Sequence, residues 1–137
     1  MIIGIGHDIV DIGRIERAIG NHSEKFMEKY FSKEEAGLAL SRKDLGQMAA
    51  TLAKRFAAKE AAAKALGTGF RDGLYLRDIC VSSDASGRPE LAFFNKAQDI
   101  LEALTPSGKE IRTFLSISDE PPFASAYVVI EALPIGG

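Results

Sequence analysis

From the second position onward, apolar residues alternate with glycine and acid. Ile3, Ile5 and Ile9 are separated by Gly4, Gly6 and Asp8, and His7 stands in the apolar register. A period of two predicts a strand. Two glycines inside it predict that something approaches the backbone closely there. The pattern then turns helical. Arg14–Ile19 reads as a short helix ended by Gly20, with Ser23 and Ser32 as N-caps. Ser32-Lys33-Glu34-Glu35 is a capping box that opens a helix from Lys33 to about Ser41. The strongest helical signal is Gln47–Leu66, rich in Ala, Lys, Arg, Glu and Leu and stopped by Gly67-Thr68-Gly69. Ala49, Leu52, Ala53, Phe56, Ala57, Ala63 and Leu66 form its expected apolar stripe, and the many alanines predict a close neighbour.

Further along, Leu76–Ser82 and Glu90–Phe94 read as strands joined by a turn at Ser86-Gly87-Arg88-Pro89. Asn95 is the expected cap of a helix to about Leu104. Ile111–Ser118 and Phe123–Ala132 are the last two strands, with Asp119–Pro122 as their turn. Within the last strand, Tyr127-Val128-Val129-Ile130 is continuously apolar, as in a strand buried on both faces. The order is one strand, several helices, two strands, a helix and two strands. It predicts an α+β fold: a mostly antiparallel sheet with a long Ala-rich helix and shorter helices packed on it. One domain spanning residues 1–133 is expected, with 134–137 as a frayed tail.

Composition narrows the function. A chain of 137 residues with 46% hydrophobic content is the size of one domain and too apolar to be disordered. Seventeen basic and 19 acidic residues give a net charge of −2, which argues against nucleic acid as a partner. A single cysteine, Cys80, excludes an internal disulfide framework and a Cys-rich zinc site. Residues 1–8 have no basic region before the first acid, and no run is long enough to span a bilayer. A cytoplasmic setting without membrane partners is expected.

Three segments could carry chemistry. Asp8 interrupts an apolar strand; by the turn preferences of Asp it is as readily a strand-end cap as a ligand. Glu60 and Lys64 stand four residues apart on one helix face, which by itself describes an ordinary exposed pair. Phe56 one turn earlier and the cations Arg55 and Lys59 on the same helix tilt the reading towards a phosphate site. Gly67-Thr68-Gly69 follows a helix C-terminus, the negative end of the dipole, so it is not a P-loop. Two carboxylates, Asp8 and Glu60, with phosphates as further ligands would suit Mg²⁺, which keeps waters and takes few protein ligands. Ser116-Ile117-Ser118-Asp119 ends a strand and reads as a polar junction, and Cys80 reads as a buried, inert strand residue.

Together these segments resemble the holo-acyl-carrier-protein synthase family of 4′-phosphopantetheinyl transferases. The residues that carry the resemblance are Ile3–Val10 with Arg14-Ile15, Phe56–Gly69, Gly87-Arg88-Pro89, and Ser116–Ser118 with Ala124–Ala126. The match covers nearly the whole chain, and the second segment is the most specific. The resemblance implies transfer of the 4′-phosphopantetheine arm of coenzyme A to a serine of apo-acyl-carrier protein, in support of fatty acid biosynthesis. It implies that Asp8, Glu60 and Lys64 are catalytic, with Asp8 and Glu60 as Mg²⁺ ligands. Arg55, Lys64, Gly67, Thr68, Gly69, Arg88, Pro89 and Ser118 would bind coenzyme A, and Arg14 would face the carrier protein. It also implies a homotrimer with sites between subunits. Two departures stand out: Asp119 occupies a position where many members carry histidine, and His7 one where Thr or Ser is common. A small α+β module that binds a nucleotide or acyl group without catalysis is the competing reading. The convergence of two acids and a lysine on one phosphate, which the resemblance implies, favours the enzyme.

Overall fold

The computed structural model describes residues 1–42, 44–67 and 74–136. The described elements run β1 (Ile2–Asp11), α1 (Ile12–Tyr30), α2 (Lys33–Leu40) and α3 (Leu45–Leu66), then a 3₁₀ turn (Leu76–Asp78). They continue through β2 (Ile79–Ser83), β3 (Pro89–Phe93), α4 (Asn95–Leu104), β4 (Lys109–Glu120) and β5 (Phe123–Pro134). A three-stranded antiparallel sheet has the order β1-β5-β4, and β2 pairs antiparallel with β3 in a second sheet. The α+β class and the element order match the expectation from the sequence.

The core forms where α3 lies across β1 and β5. A Cβ on Gly4 would stand 2.2 Å from the Ala65 carbonyl oxygen, and one on Gly6 would stand 1.8 Å from that of Ala61. The close approach predicted at the two glycines is therefore made by the helix backbone, and no room remains there for a ligand. The alanines of α3 do not form one stripe. Ala53, Ala57, Ala58, Ala61, Ala62 and Ala63 are all buried, so the helix is enclosed nearly all round. Gly67, at φ 82°, is its left-handed C-cap, and its N–H donates to the Lys64 carbonyl at 3.0 Å.

Several boundaries differ from the sequence reading. Helix α1 begins two residues early, because the Asp11 side chain accepts from Gly13 N–H at 2.8 Å and caps it. It passes through Gly20, breaks at His22 (φ −146°, ψ 54°) and resumes to Tyr30. Burial of Ile15, Ile19 and Met27 outweighs the cost of one exposed glycine, about 1 kcal/mol. Leu76–Asp78 is a 3₁₀ turn rather than strand, because its bonds are local: the Asp78 N–H donates to the Tyr75 carbonyl at 3.0 Å, and the Ile79 N–H to that of Leu76. Asn95 is the first residue of α4 and not its cap; its φ is +50°, and its side-chain amide donates to Asp78 Oδ1 at 3.0 Å. Strand β5 is buried on one face only. Ala124, Ala126, Val128 and Ile130 point inward, while Tyr127 is 53% exposed. Strand β5 runs to Pro134, and the Ile135 N–H donates to the Gly108 carbonyl at 3.2 Å.

The outer face of the three-stranded sheet is consequently exposed, with apolar residues standing among Arg112, Ser116, Ser118 and Glu131. Ile5, Ile9, Phe114, Phe123 and Tyr127 are all exposed there. His7 stacks on Tyr127 across the β1–β5 pair, with ring centroids 4.1 Å apart. No described helix is long and apolar enough to cross a membrane.

Candidate functional site

The alternation of β1 turns Gly4, Gly6, Asp8 and Val10 towards α3, and Ile5, His7 and Ile9 away from it. Once the glycines let α3 settle on the strand, the next inward side chain is Asp8. It meets the last two turns of the helix. The Lys64 ammonium donates to Asp8 Oδ1 at 2.9 Å and to the His7 carbonyl at 3.0 Å. Asp8 is well covered, with its side chain 17% exposed, whereas Lys64 is 54% exposed. The sequence spacing of Glu60 and Lys64 thus conceals a different pairing, in which Lys64 reaches across to β1.

Glu60 sits one turn before Lys64 and is half-buried. Burial raises its carboxyl above the ordinary value, and the negative charge of Asp8 raises it further; Lys64 and Arg14 act in the opposite direction. Asp8 and Glu60 are therefore close enough to repel. A cation placed between them would relieve both effects. Among the described residues no group of three or more His, Cys, Asp or Glu side chains is arranged to hold a metal ion. Two carboxylates alone fit a hard ion that completes its shell with water and phosphate oxygens. Beside Glu60 a cavity opens between α1 and α3, lined by Arg14, Lys29, Tyr30, Phe56 and Leu74–Leu76.

The other expected site residues lie elsewhere. Arg88 and Pro89 line a separate cavity with Arg112, Thr113 and Phe114, at the β4 edge of the sheet. Their turn is built on Asp84, whose Oδ1 accepts from the Ser86 N–H, the Ser86 hydroxyl and the Arg88 N–H. Ser118 is on the outer face of the sheet, opposite Asp8. Arg55 lines a third cavity with Ser32, Glu35, Cys80 and Phe94. Its Nε is buried and finds no acceptor among the described residues, and burial lowers its pKa against the attraction of Glu35. Gly67 caps α3, one turn beyond Lys64; Thr68 and Gly69 lie outside the described residues.

Three readings of the sequence need correction. Lys59 is not available to a phosphate: it is fully buried, with its ammonium 2.6 Å from Glu35 Oε1. Cys80 is half-exposed and not buried, because the inward face of β2 is set by Ile79 and Val81; burial of its thiol still raises its pKa. Asp119, expected to open the turn, is paired within β4, so the turn is Pro121-Pro122 alone; its carboxylate faces Lys54 of α3 at 3.7 Å. Sequence reasoning missed Glu35 as the partner of Lys59 and Asp84 as the organiser of the Arg88 turn. The capping box did mark Glu35 as a special position, and Asp84-Ala85-Ser86-Gly87 carries a turn signal.

Known proteins resemble the chain over nearly its whole length. The family model for the 4′-phosphopantetheinyl transferase superfamily (ACPS) matches residues 4–123. A holo-[acyl-carrier-protein] synthase of Rhodopseudomonas palustris is 49% identical over 135 residues, covering 98% of this chain and 92% of that protein. The crystal structure of holo-[acyl-carrier-protein] synthase from Neisseria meningitidis superposes with a TM-score of 0.79 at 38% identity, covering 96% of this chain and 99% of the other. That of a holo-(acyl-carrier-protein) synthase from Bacillus anthracis, in complex with CoA (3′,5′-ADP), gives 0.74 at 36% identity, covering 96% and 97%. A fold, a strand–helix carboxylate pair and this extent of likeness converge: the chain belongs to the holo-[acyl-carrier-protein] synthase family of the 4′-phosphopantetheinyl transferase superfamily.

Proposed function

We propose that the chain transfers the 4′-phosphopantetheine arm of coenzyme A to a serine of apo-acyl-carrier protein, with Mg²⁺ held by Asp8 and Glu60. The serine hydroxyl gives up its proton to solvent, and its oxygen bonds to the phosphorus that carries the arm. The bond from that phosphorus to the bridging oxygen breaks, and adenosine 3′,5′-bisphosphate leaves. The observation that carries this reading is the meeting of Asp8, Glu60 and Lys64, from a strand and a helix 56 residues apart in sequence. Bound there, the ion would neutralise charge that grows on the leaving phosphate.

The remaining work falls to the chain's own side chains. Lys64, more than half exposed, can turn from Asp8 to a phosphate oxygen without crossing packed structure. Its charge holds the phosphates and supports the leaving group. Arg14, at the mouth of the cavity beside Glu60, meets the acidic surface of the carrier protein. Arg55, Gly67, Thr68, Gly69, Arg88, Pro89 and Ser118 bind the rest of coenzyme A.

In one chain the cavities at Glu60, Arg55 and Arg88 are separate. This separation, with the exposed apolar residues of β1 and β5, supports a homotrimer in which one subunit's carboxylates work with another's Arg88 turn. The chain acts as one transferase domain, in the cytoplasm and in support of fatty acid biosynthesis.

The test combines the protein, coenzyme A, Mg²⁺ and apo-carrier protein, and weighs the carrier by mass spectrometry. The expected result is a gain of one phosphopantetheine, abolished by chelation and by Glu60→Gln. No gain with any divalent ion would remove the proposal.

A further inference from the structure

Lys59 and Glu60 are neighbours on α3 with opposite surroundings. Glu60 borders an open cavity, and Lys59 is fully enclosed. A protonated lysine has three N–H donors, and all three are taken. They go to Glu35 Oε1 at 2.6 Å, to the Leu76 carbonyl at 3.1 Å and to the Ile79 carbonyl at 2.5 Å. Glu35 is itself buried, and its Oε1 accepts from Ser32 N–H at 2.9 Å and its Oε2 from Val81 N–H at 3.0 Å. One ammonium thus ties α3 to α2, to the start of β2 and to Leu76. Leu76 also belongs to the wall of the cavity that Glu60 and Arg14 line.

A buried ion pair is a poor source of stability, since apolar side chains of similar volume do as well or better. Packing alone therefore gives no reason for a lysine at this position. Unlike a methyl group, an ammonium can hold two carbonyls of the facing segment at fixed distances from the helix turn that carries Glu60.

We infer that Lys59, with Glu35 as its counter-ion, is a positioning residue for the metal site. Through the Leu76 and Ile79 carbonyls it fixes the cavity wall and the rotation of α3 that aims Glu60 towards Asp8. This inference rests on the proposed role of Asp8 and Glu60 as metal ligands.

The test compares wild type, Glu35→Gln and the double variant Lys59→Met/Glu35→Gln. The double variant removes one charge of each sign, so a change in cation binding reports geometry and not net charge. Binding of Mn²⁺ is read from the electron paramagnetic resonance signal of the free ion, without coenzyme A. Transfer is measured separately as kcat and as KM for coenzyme A. The double variant is expected to lose about tenfold or more in Mn²⁺ affinity and in kcat, as for other groups that orient metal ligands. KM for coenzyme A stays within about twofold. Glu35→Gln keeps both carbonyl bonds of Lys59 and loses less than about threefold.

Wild-type Mn²⁺ affinity in the double variant overturns the inference. If the wild type binds no Mn²⁺ even when coenzyme A is added, the metal reading falls and the inference with it. A wild type that binds beside an unaltered double variant removes the inference alone. Should the double variant not fold, amide hydrogen exchange of the wild type decides. Mg²⁺ must then slow exchange at Asp78 and at Val81, and unchanged exchange there overturns the inference.

Discussion

The two lysine–carboxylate pairs of α3 have the same chemistry and opposite settings. Lys59–Glu35 is enclosed, with side-chain exposures of 0% and 2%, while Lys64–Asp8 stands at 54% and 17%. The first has every donor satisfied within the protein, and its loss would strand a charge. The second can be exchanged for water or for a ligand at little cost. Five residues of one helix thus separate a fixed pair from one free to rearrange, and the free pair is the one at the candidate metal site. Burial, and not residue type, decides which lysine can take part in chemistry.

Lys59→Met is the strongest way to break this contrast. It leaves Glu35 buried and unpaired and should lower stability by about 3–5 kcal/mol in urea unfolding. Lys64→Met, in the same assay, should cost less than about 1 kcal/mol. Equal costs would mean that the burial difference has no energetic consequence. Gly6→Ala comes next. The added methyl meets the Ala61 carbonyl oxygen, displaces α3 from β1 and should cost about 3 kcal/mol in thermal unfolding. It should also lower Mg²⁺ affinity, because Asp8 and Glu60 would separate.

In catalysis the ranking of the two lysines reverses. Lys64→Met should reduce kcat at least about a hundredfold with the fold intact, as does loss of a group that stabilises charge in the transition state. Steady-state transfer kinetics and circular dichroism check both halves of that statement.

The smallest effect belongs to a carboxylate with no lysine at all. Bonds from the Ser86 hydroxyl and the Arg88 N–H hold the exposed Asp84 carboxyl below its usual range. Its contribution to the turn is fully present above the unfolded carboxylate value near pH ~4 and is lost as pH falls through the lower folded value. Asp84→Ala should loosen the Arg88 turn and raise KM for coenzyme A about threefold with kcat unchanged, well below the loss at Lys64.

Much of this was legible in the sequence because it is local. The capping box at Ser32–Glu35, the stop at Gly67 and the order of elements follow from spacing and turn chemistry. Asp8, Glu60 and Lys64 were singled out by residue type and by the family resemblance. What escaped depends on long-range packing. Glu35 lies 24 residues from Lys59, and nothing in either segment specifies the meeting. Gly4 and Gly6 signalled a close approach, yet only the seated helix identifies its own backbone as what approaches. The run Tyr127–Ile130 looked buried on both sides because hydrophobicity cannot distinguish a core from a face awaiting a partner. Gly20 looked like a helix end because local propensity omits the buried residues on either side of it.

The distribution of the tyrosines has a practical consequence. The chain has no tryptophan and three tyrosines, so its near-ultraviolet signal comes chiefly from those three rings. Tyr30 and Tyr75 border the cavity beside Glu60, while Tyr127 lies stacked on His7 on the outer face of the sheet. Two of the molecule's intrinsic optical probes therefore watch the site, and the third watches the surface proposed for subunit contact. With Tyr127→Phe as the blank for one and Tyr75→Phe for the other, ligand entry and self-association become separable by spectroscopy, without an added label.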